Sequence, residues 1–342
     1  MMKLKKIRNV LFVPSAAMSI RDTMPTHYVQ VEKKPEVGDV VYGKVVRTSQ
    51  HSSVENVSGR IHHIYDGTKG FFVFGNRYAP DHFEGLVPQS FQKRVDMLAR
   101  SGVIGTVTAQ NPSIKDASKI DIIGYACDAS GNIANTVEHC RSISVEKGHG
   151  EPAKLILVCG TAMNSGKTMA ATACCWALSA MGHSVNAVKV TGTASLKDIL
   201  GMNDAGATRY SDFTELGYPS SYMLSEQETM NLFWTLERKY SSKAKYLVVE
   251  FADGVNQREN HMLLASKDVQ SRIHKLVFCA ADAFGAMGGL NYLTQTYGLS
   301  PDILSGLCSS SPLYVRELQE FTNLPIFNSA KPNLRMLAEE LV

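Results

Sequence analysis

Residues 155–178, LILVCGTAMNSGKTMAATACCWAL, constrain this chain more than any other stretch. An apolar run ends at Cys159, a loop of small residues follows, and Lys167 and Thr168 open a segment of helical composition. A short apolar run closed by glycine reads as a buried strand. The loop is then a strand-to-helix turn, where backbone N–H groups and the positive end of the helix dipole face one point. That layout selects an anion, and the residue types sharpen it to a polyphosphate. Gly166 lets the backbone approach, Lys167 reaches the terminal phosphates, and Thr168 offers a hydroxyl to a divalent cation. The expected nucleotide-binding residues are Gly160, Thr161, Ala162, Asn164, Ser165, Gly166, Lys167, Thr168 and Met169. The spacing departs from G-x-x-x-x-G-K-[ST] at one place: Thr161 stands where the first glycine belongs, and the glycine is Gly160.

Beyond residue 153, apolar strands alternate with helical stretches. Strands are expected at 155–159, 185–190, 246–250, 275–281, 303–306 and 325–327, and a helix at 167–181. This pattern specifies an α/β fold with a doubly wound, mostly parallel sheet, which binds ligands at the carboxyl ends of its strands. Residues 1–141 read differently. Segments such as VVYGKVVR and KGFFVFG are β-branched and aromatic and lie between turn residues. Strands are expected there at 10–13, 40–47, 59–65, 70–74, 102–108 and 120–127. One helix is expected at 88–101, where Phe91, Val95, Leu98 and Ala99 share a helical face. The expected organisation is a small β-rich, barrel-like domain over 1–141, a polar linker over 142–152 and a P-loop nucleotide-binding domain over 153–342.

The length of 342 residues suits two domains. A net charge of +3 gives no basic field for nucleic acid, and no apolar run is long enough to cross a membrane. The basic start MMKLKKIRNV is interrupted by Arg8 and Asn9, so a strand is expected there rather than a leader peptide. Seven cysteines form no C-x-x-C pair, and small buried thiols in a reducing, cytoplasmic setting are expected.

Mg²⁺ prefers oxygen ligands, one or two carboxylates with hydroxyl and phosphate oxygens. Glu250 directly follows an apolar run, where an acid is costly to bury without a partner. The expected metal ligands are Thr168, Asp204 and Glu250, with turn chemistry the competing role for Asp204. Lys189 ends another apolar strand, either as a second cation for phosphate or carboxylate or as a lysine reaching solvent. Lys167, Lys189 and Glu250 are the expected catalytic residues. Arg258 is a substrate clamp or a partner of Glu259, and Asp282 faces the cleft or caps a helix. Asp253 completes a polar cluster after Glu250. Loops at 305–309 and 328–331 stand where a nucleobase is usually read, and no N-K-x-D element supports guanine. In the first domain His51, Arg60, His63, Asn76, Arg77, Tyr78 and Asp81 are candidates for a substrate or oligomer surface, against arginines that simply pair with Asp66, Asp81 or Glu84.

The layout Gly160-Thr161 to Gly166-Lys167-Thr168 resembles the phosphate loop of the dethiobiotin synthetase family. The segments NAVKVTG, GMNDAGA and YLVVEFADG resemble that family's next elements, in order, over residues 154–331. The resemblance implies ATP and Mg²⁺, a lysine role for Lys189, metal roles for Asp204 and Glu250, and a homodimer. The glycine-rich turn after the glutamate is here Phe251-Ala252-Asp253-Gly254, and the first 140 or so residues fall outside the resemblance. The phosphate loop and Ser211-Asp212-Phe213 are also similar to P-loop amino-acid N-acyltransferases. The expected function is an ATP- and Mg²⁺-dependent ligase activating a small carboxylate or amino-acid-like substrate. The alternatives are a nucleotide-dependent switch or partner-binding protein and an N-acyltransferase on the same fold.

Overall fold

The computed structural model describes residues 4–141 and 151–342, which divide into two units. Of the linker expected at 142–152, residues 142–150 lie outside the described residues.

The first unit holds the residues up to 141 together with Thr193–Lys197 and Phe213–Tyr222. Its strands are β1 (Lys5–Lys6), β2 (His27–Val29), β3 (Val40–Arg47), β4 (Ser53–Glu55), β5 (Ile61–His63), β6 (Lys69–Phe74), β7 (Phe83–Leu86), β8 (Arg94–Met97), β9 (Val103–Gln110) and β10 (Ser118–Cys127), followed by helix α1 (Thr136–Arg141). Strand β10 pairs with β3 and β8, β3 with β6, β6 with β9, and β9 with β8, so the hydrogen-bonded path returns to its start. Phe12, Val41, Val45, Phe72, Phe74, Val95, Met97, Ile104, Ile120 and Ile122 form one apolar cluster within it. Phe12 meets Phe72 edge-on at 5.5 Å between ring centres. Gly70 makes that possible, because a Cβ there would lie 2.4 Å from the Phe12 ring. The two late segments join through specific bonds. Glu55 accepts from the Leu196 N–H at 2.7 Å, the Ala194 N–H donates to Pro219 O at 3.0 Å, and Tyr222 Oη donates to Glu84 at 2.6 Å.

Two expectations for this unit are corrected. The segment 88–101 forms no helix; its centre is β8, paired on both sides, with Val95 and Met97 buried in the cluster. Apolar residues spaced by two and by three or four coincide over so short a run, and pairing on both flanks decided for the strand. Residues 10–13 are not a strand either. The Leu11 N–H bonds to Lys69 O and Val13 O accepts from Val57, two separate segments, so no continuous ladder forms.

Among the first-domain candidates, His51 and Arg77 are buried, whereas Arg60, His63 and Asp81 are exposed. Tyr78 packs on Tyr222 at 5.5 Å, and Asn76 Oδ1 accepts from the Val87 N–H at 2.9 Å. His51 Nε2 lies 3.0 Å from Leu98 O and 3.0 Å from Arg77 Nη1. Burial, then the Arg77 guanidinium and His82, push the His51 imidazolium down from 6.5 to about 3. Between these values the unfolded chain takes up a proton that the folded one refuses. The folded pKa is the lower one, so the contribution is complete above 6.5 and is lost as pH falls toward 3. Each pH unit in that window costs about 1.4 kcal/mol at most. A His51→Gln variant is expected to be less stable at pH 7 yet to show a flatter decline of melting temperature between pH 6.5 and 4; parallel curves for the two proteins would refute it.

The second unit contains β11 (Lys154–Gly160), α2 (Lys167–Ala180), β12 (Val185–Lys189), α3 (Leu196–Asp204), β13 (Arg209–Asp212), α4 (Glu226–Ser241), β14 (Tyr246–Glu250), α5 (Arg258–Ala265), α6 (Lys267–Arg272), β15 (Ile273–Cys279), α7 (Ala283–Tyr297), β16 (Ile303–Ser305), α8 (Pro312–Phe321) and α9 (Leu334–Leu341). The strands run in the order β13-β12-β14-β11-β15-β16, and every pairing is parallel. The chain leaves central β11, skips the place of β14 and returns at β12; β15 lies on the other side of β11. This reversal is where open α/β sheets bind ligands. The strand expected at 325–327 is reduced to one bridge between Ile326 and Leu304. Helix α2 lies close on the sheet because its buried apolar residues are Ala170, Ala171, Ala173, Cys174, Cys175, Ala177 and Leu178, nearly all small. All seven cysteines are free and all but Cys140 are buried; burial pushes the Cys159 and Cys174 thiols up to about 12, which keeps them inert. Among the described residues no helix is long and apolar enough to cross a membrane.

Candidate nucleotide site

The loop after β11 begins with a steric requirement. A Cβ on Gly160 would lie 2.5 Å from Cys279 O and 2.6 Å from Ser165 Oγ. Glycine is therefore needed at 160. Thr161 still follows the sheet, its N–H donating to Cys279 O at 2.9 Å. The offset of the motif by one residue is explained by this contact. Asn164 (φ 61°) and Gly166 (φ 95°) are both left-handed. Turns of this kind bring neighbouring amides toward one side and make an anion-binding concavity. Gly166 also lies against Gly306: a Cβ on Gly166 would come 2.9 Å from Gly306 Cα, and the Leu307 N–H donates to Ser165 O at 3.2 Å. The segment 305–309 thus buttresses the phosphate loop.

Gly166 is the N-cap of α2, with no side-chain cap and no acidic residue in the first turn. The first N–H groups of a helix have no partner within it, so an end left without a side-chain cap favours an anion. Lys167 is 5% exposed and curls back, Nζ donating to Ala162 O at 2.6 Å. Burial lowers its pKa, and the carboxylates of Glu250 and Asp253 only partly restore it. A poorly solvated ammonium of this kind gains from an arriving phosphate. The Met169 side chain points outward and is half exposed.

Glu250 ends β14, beside Val158 of β11 and Lys189 of β12 in the ladder. It is 1% exposed. Thr168 Oγ1 donates to Glu250 Oε1 at 2.9 Å, while Oε2 is buried with no hydrogen-bond partner. Burial raises the pKa of this carboxyl, and Lys189 and Lys167 offset part of the rise. Lys189 Nζ lies 3.9 Å from Glu250 Oε1 and makes a closer ion pair with Asp198. Burial lowers the Lys189 pKa, but Asp198 and Glu250 more than reverse the effect and hold the ammonium charged.

Asp198 is the acid that sequence reasoning missed. Asp204, expected to bind metal, is exposed in the last turn of α3, whereas Asp198 in the first turn meets Lys189. The helix rises about 9 Å and turns about 240° between them, so they occupy different faces. The bare Glu250 oxygen and the Thr168 hydroxyl are oxygen donors of the type Mg²⁺ takes, while Asp198 is paired with Lys189. A buried carboxylate oxygen left without a donor is costly, and a cation there would remove the cost.

The remaining candidates have structural partners. Arg258 pairs with Glu259 at 2.6 Å, and Asp282 caps α7 by accepting from the Gly285 N–H at 2.7 Å. Asn328 closes its own turn, accepting from the Ala330 N–H at 2.9 Å.

Strand, small-residue loop and helix on a parallel sheet give the second unit the arrangement of a P-loop fold. No protein-family model and no curated protein sequence matches the chain. Solved structures similar to it include the signal recognition particle receptor FtsY of Elizabethkingia anophelis in complex with GDP, at 11% identity and a TM-score of 0.39, covering 59% of this chain and 65% of that one. A second structure of that receptor matches at 13% identity and a TM-score of 0.37, covering 60% of this chain and 71% of that one. The match spans just under two thirds of the first receptor's length. At this distance neither likeness bears on activity.

Replacing Thr168 with Val keeps the side-chain shape and removes the hydroxyl that donates to Glu250 Oε1, leaving the more distant Lys189. Leaving a buried acceptor unbonded costs about 1–3 kcal/mol. The expected result is a melting temperature lower by roughly 3–10 °C, with Mg²⁺ stabilising the wild-type protein more than the variant in the presence of nucleotide. Identical melting of the two, with and without Mg²⁺, would remove the assigned pairing.

Proposed function

We propose that this chain binds a nucleoside triphosphate with Mg²⁺ and moves or releases its γ-phosphoryl group, as a nucleotide-dependent P-loop protein. The observation that supports this best is the buried Glu250 carboxylate, tied to the Thr168 hydroxyl at one oxygen and bare at the other, beside an uncapped helix start. Bound by Thr168 and Glu250, Mg²⁺ would neutralise charge on the β- and γ-phosphates. The loop amides would hold the phosphates in place, and Lys167 would swing from Ala162 O to the charge that develops as the γ-bond breaks. Glu250, held in the ladder between its neighbours, would stay rigid throughout.

ATP is the proposed nucleotide, since the segments at 305–309 and 328–331 carry no guanine-reading element. The finer reading, a C–N ligase acting on a small carboxylate, needs a cation able to hold that carboxylate. Lys189 was the residue expected to do so, and its charge is committed to Asp198. The nucleotide-dependent switch is therefore preferred. The closed ring of strands in the first unit is read as a small barrel.

Titration with a fluorescent ATP or GTP analogue, with and without Mg²⁺, tests the reading. Wild-type protein is expected to bind the ATP analogue more tightly with Mg²⁺, and Lys167→Ala is expected to lower phosphate release by about 100-fold or more. Equal release by both proteins would exclude Lys167 from the chemistry. Release that climbs only with one small carboxylate and an amine would return the ligase reading.

A further inference from the structure

We propose that Asp198 is a positioning residue: it holds the Lys189 ammonium away from Glu250 and so keeps the cation position at the bare Glu250 oxygen open. The proposal rests on the reading of Glu250 as a metal ligand and names the residue that maintains it.

Lys189 and Glu250 are ladder partners, the last residues of β12 and β14. Side chains at one level of neighbouring parallel strands lie on the same face of the sheet, so the fold itself sets the ammonium beside the carboxylate. Both residues are buried. A buried ammonium and a buried carboxylate placed side by side gain by meeting, because each otherwise lacks a partner to offset its lost hydration. Yet Lys189 Nζ stops 3.9 Å from Glu250 Oε1, beyond hydrogen-bond distance, while Glu250 Oε2 accepts no hydrogen bond at all. The ammonium turns instead to Asp198, with which it makes a hydrogen bond and its closer ion pair.

Asp198 is half-buried in the first turn of α3, where the positive end of the helix favours an acid. On the other side of Lys189, Asp212 is its ladder partner in β13. Gly192, just beyond β12, lies along the lysine stem: a Cβ there would come 3.4 Å from Lys189 Cε. The stem is confined, and the acids around the head group set where the charge rests. Without the Asp198 charge, the ammonium needs to travel only about 1 Å to reach the roughly 2.8 Å of a charge-assisted bond with Glu250. There it would neutralise the carboxylate, and a divalent cation would have to displace it. With Asp198 in place, Glu250 keeps its charge and its bare oxygen for the metal.

The test uses the full chain and a fluorescent, non-hydrolysable ATP analogue, in Asp198→Asn and in the double variant that adds Lys189→Met. The readout is the Mg²⁺ concentration giving half of the metal-dependent rise in analogue affinity. Asp198→Asn keeps the side-chain size and removes the charge. It is expected to raise that concentration by about tenfold or more, while metal-free affinity for the analogue stays within about threefold of wild type. Adding Lys189→Met, or Lys189→Gln if that double variant melts below the assay temperature, is expected to bring the concentration back to within about threefold of wild type, since no ammonium is left to close on Glu250. An acid that bound the metal itself, or only steadied α3, would be missing from the double variant too, and the metal requirement would stay high. A metal requirement within about threefold of wild type in Asp198→Asn, or a double variant as weak as the single one, would overturn the proposal. If wild-type protein binds the analogue equally with and without Mg²⁺, the metal reading of Glu250 fails first and this one falls with it.

Discussion

The Glu250 carboxylate is the point on which the second unit depends. Putting a carboxylate at the closed end of an apolar strand costs free energy that neutral packing would not. Everything around it reduces that cost in part: Thr168 gives it one hydrogen bond, Lys189 stands at the edge of ion-pair distance, and Lys167 adds a second positive charge. None supplies a partner for Oε2. On the proposed reading, a cation at the bare oxygen and an anion at the uncapped helix start would each remove part of that cost.

That requirement accounts for much of the neighbouring detail. Gly160 and Gly166 are glycines because carbonyl oxygens and a second glycine stand where side chains would go. Lys189 is kept charged by Asp198, so it steadies Glu250 electrostatically without being free for a ligand. The first unit follows a different logic. Its strands pair in a path that returns to its start, Phe12 joins their apolar cluster, and a buried His51–Arg77 contact tolerates its cost by keeping the imidazole neutral.

Much of the second unit was legible because its signals are local. A run such as YLVVE can hardly be anything but a buried parallel strand, and a glycine-bounded loop before Lys167 fixes where the helix starts. The misreadings share a cause. The segment containing Val95 and Met97 was ambiguous between helix and strand until β9 and β10 flanked it. Nor did composition show which acid of α3 meets Lys189: Asp198 does, and Asp204 is exposed.

By itself, the sequence determined that a strand ends in a glycine-bounded loop from which Lys167 and Thr168 open a helix, that Glu250 ends an apolar strand, and that short strands fill the first part of the chain while strands and helices alternate in the second. Those features rest on contacts between residues near in the chain, or on apolar runs long enough to exclude alternatives. The tertiary structure alone decided that Asp198 meets Lys189 and that Gly160 must lack a side chain. Each depends on groups brought together from distant strands, where a hydrogen bond or a steric limit of a few tenths of an ångström selects the residue, and no spacing along the chain encodes such distances.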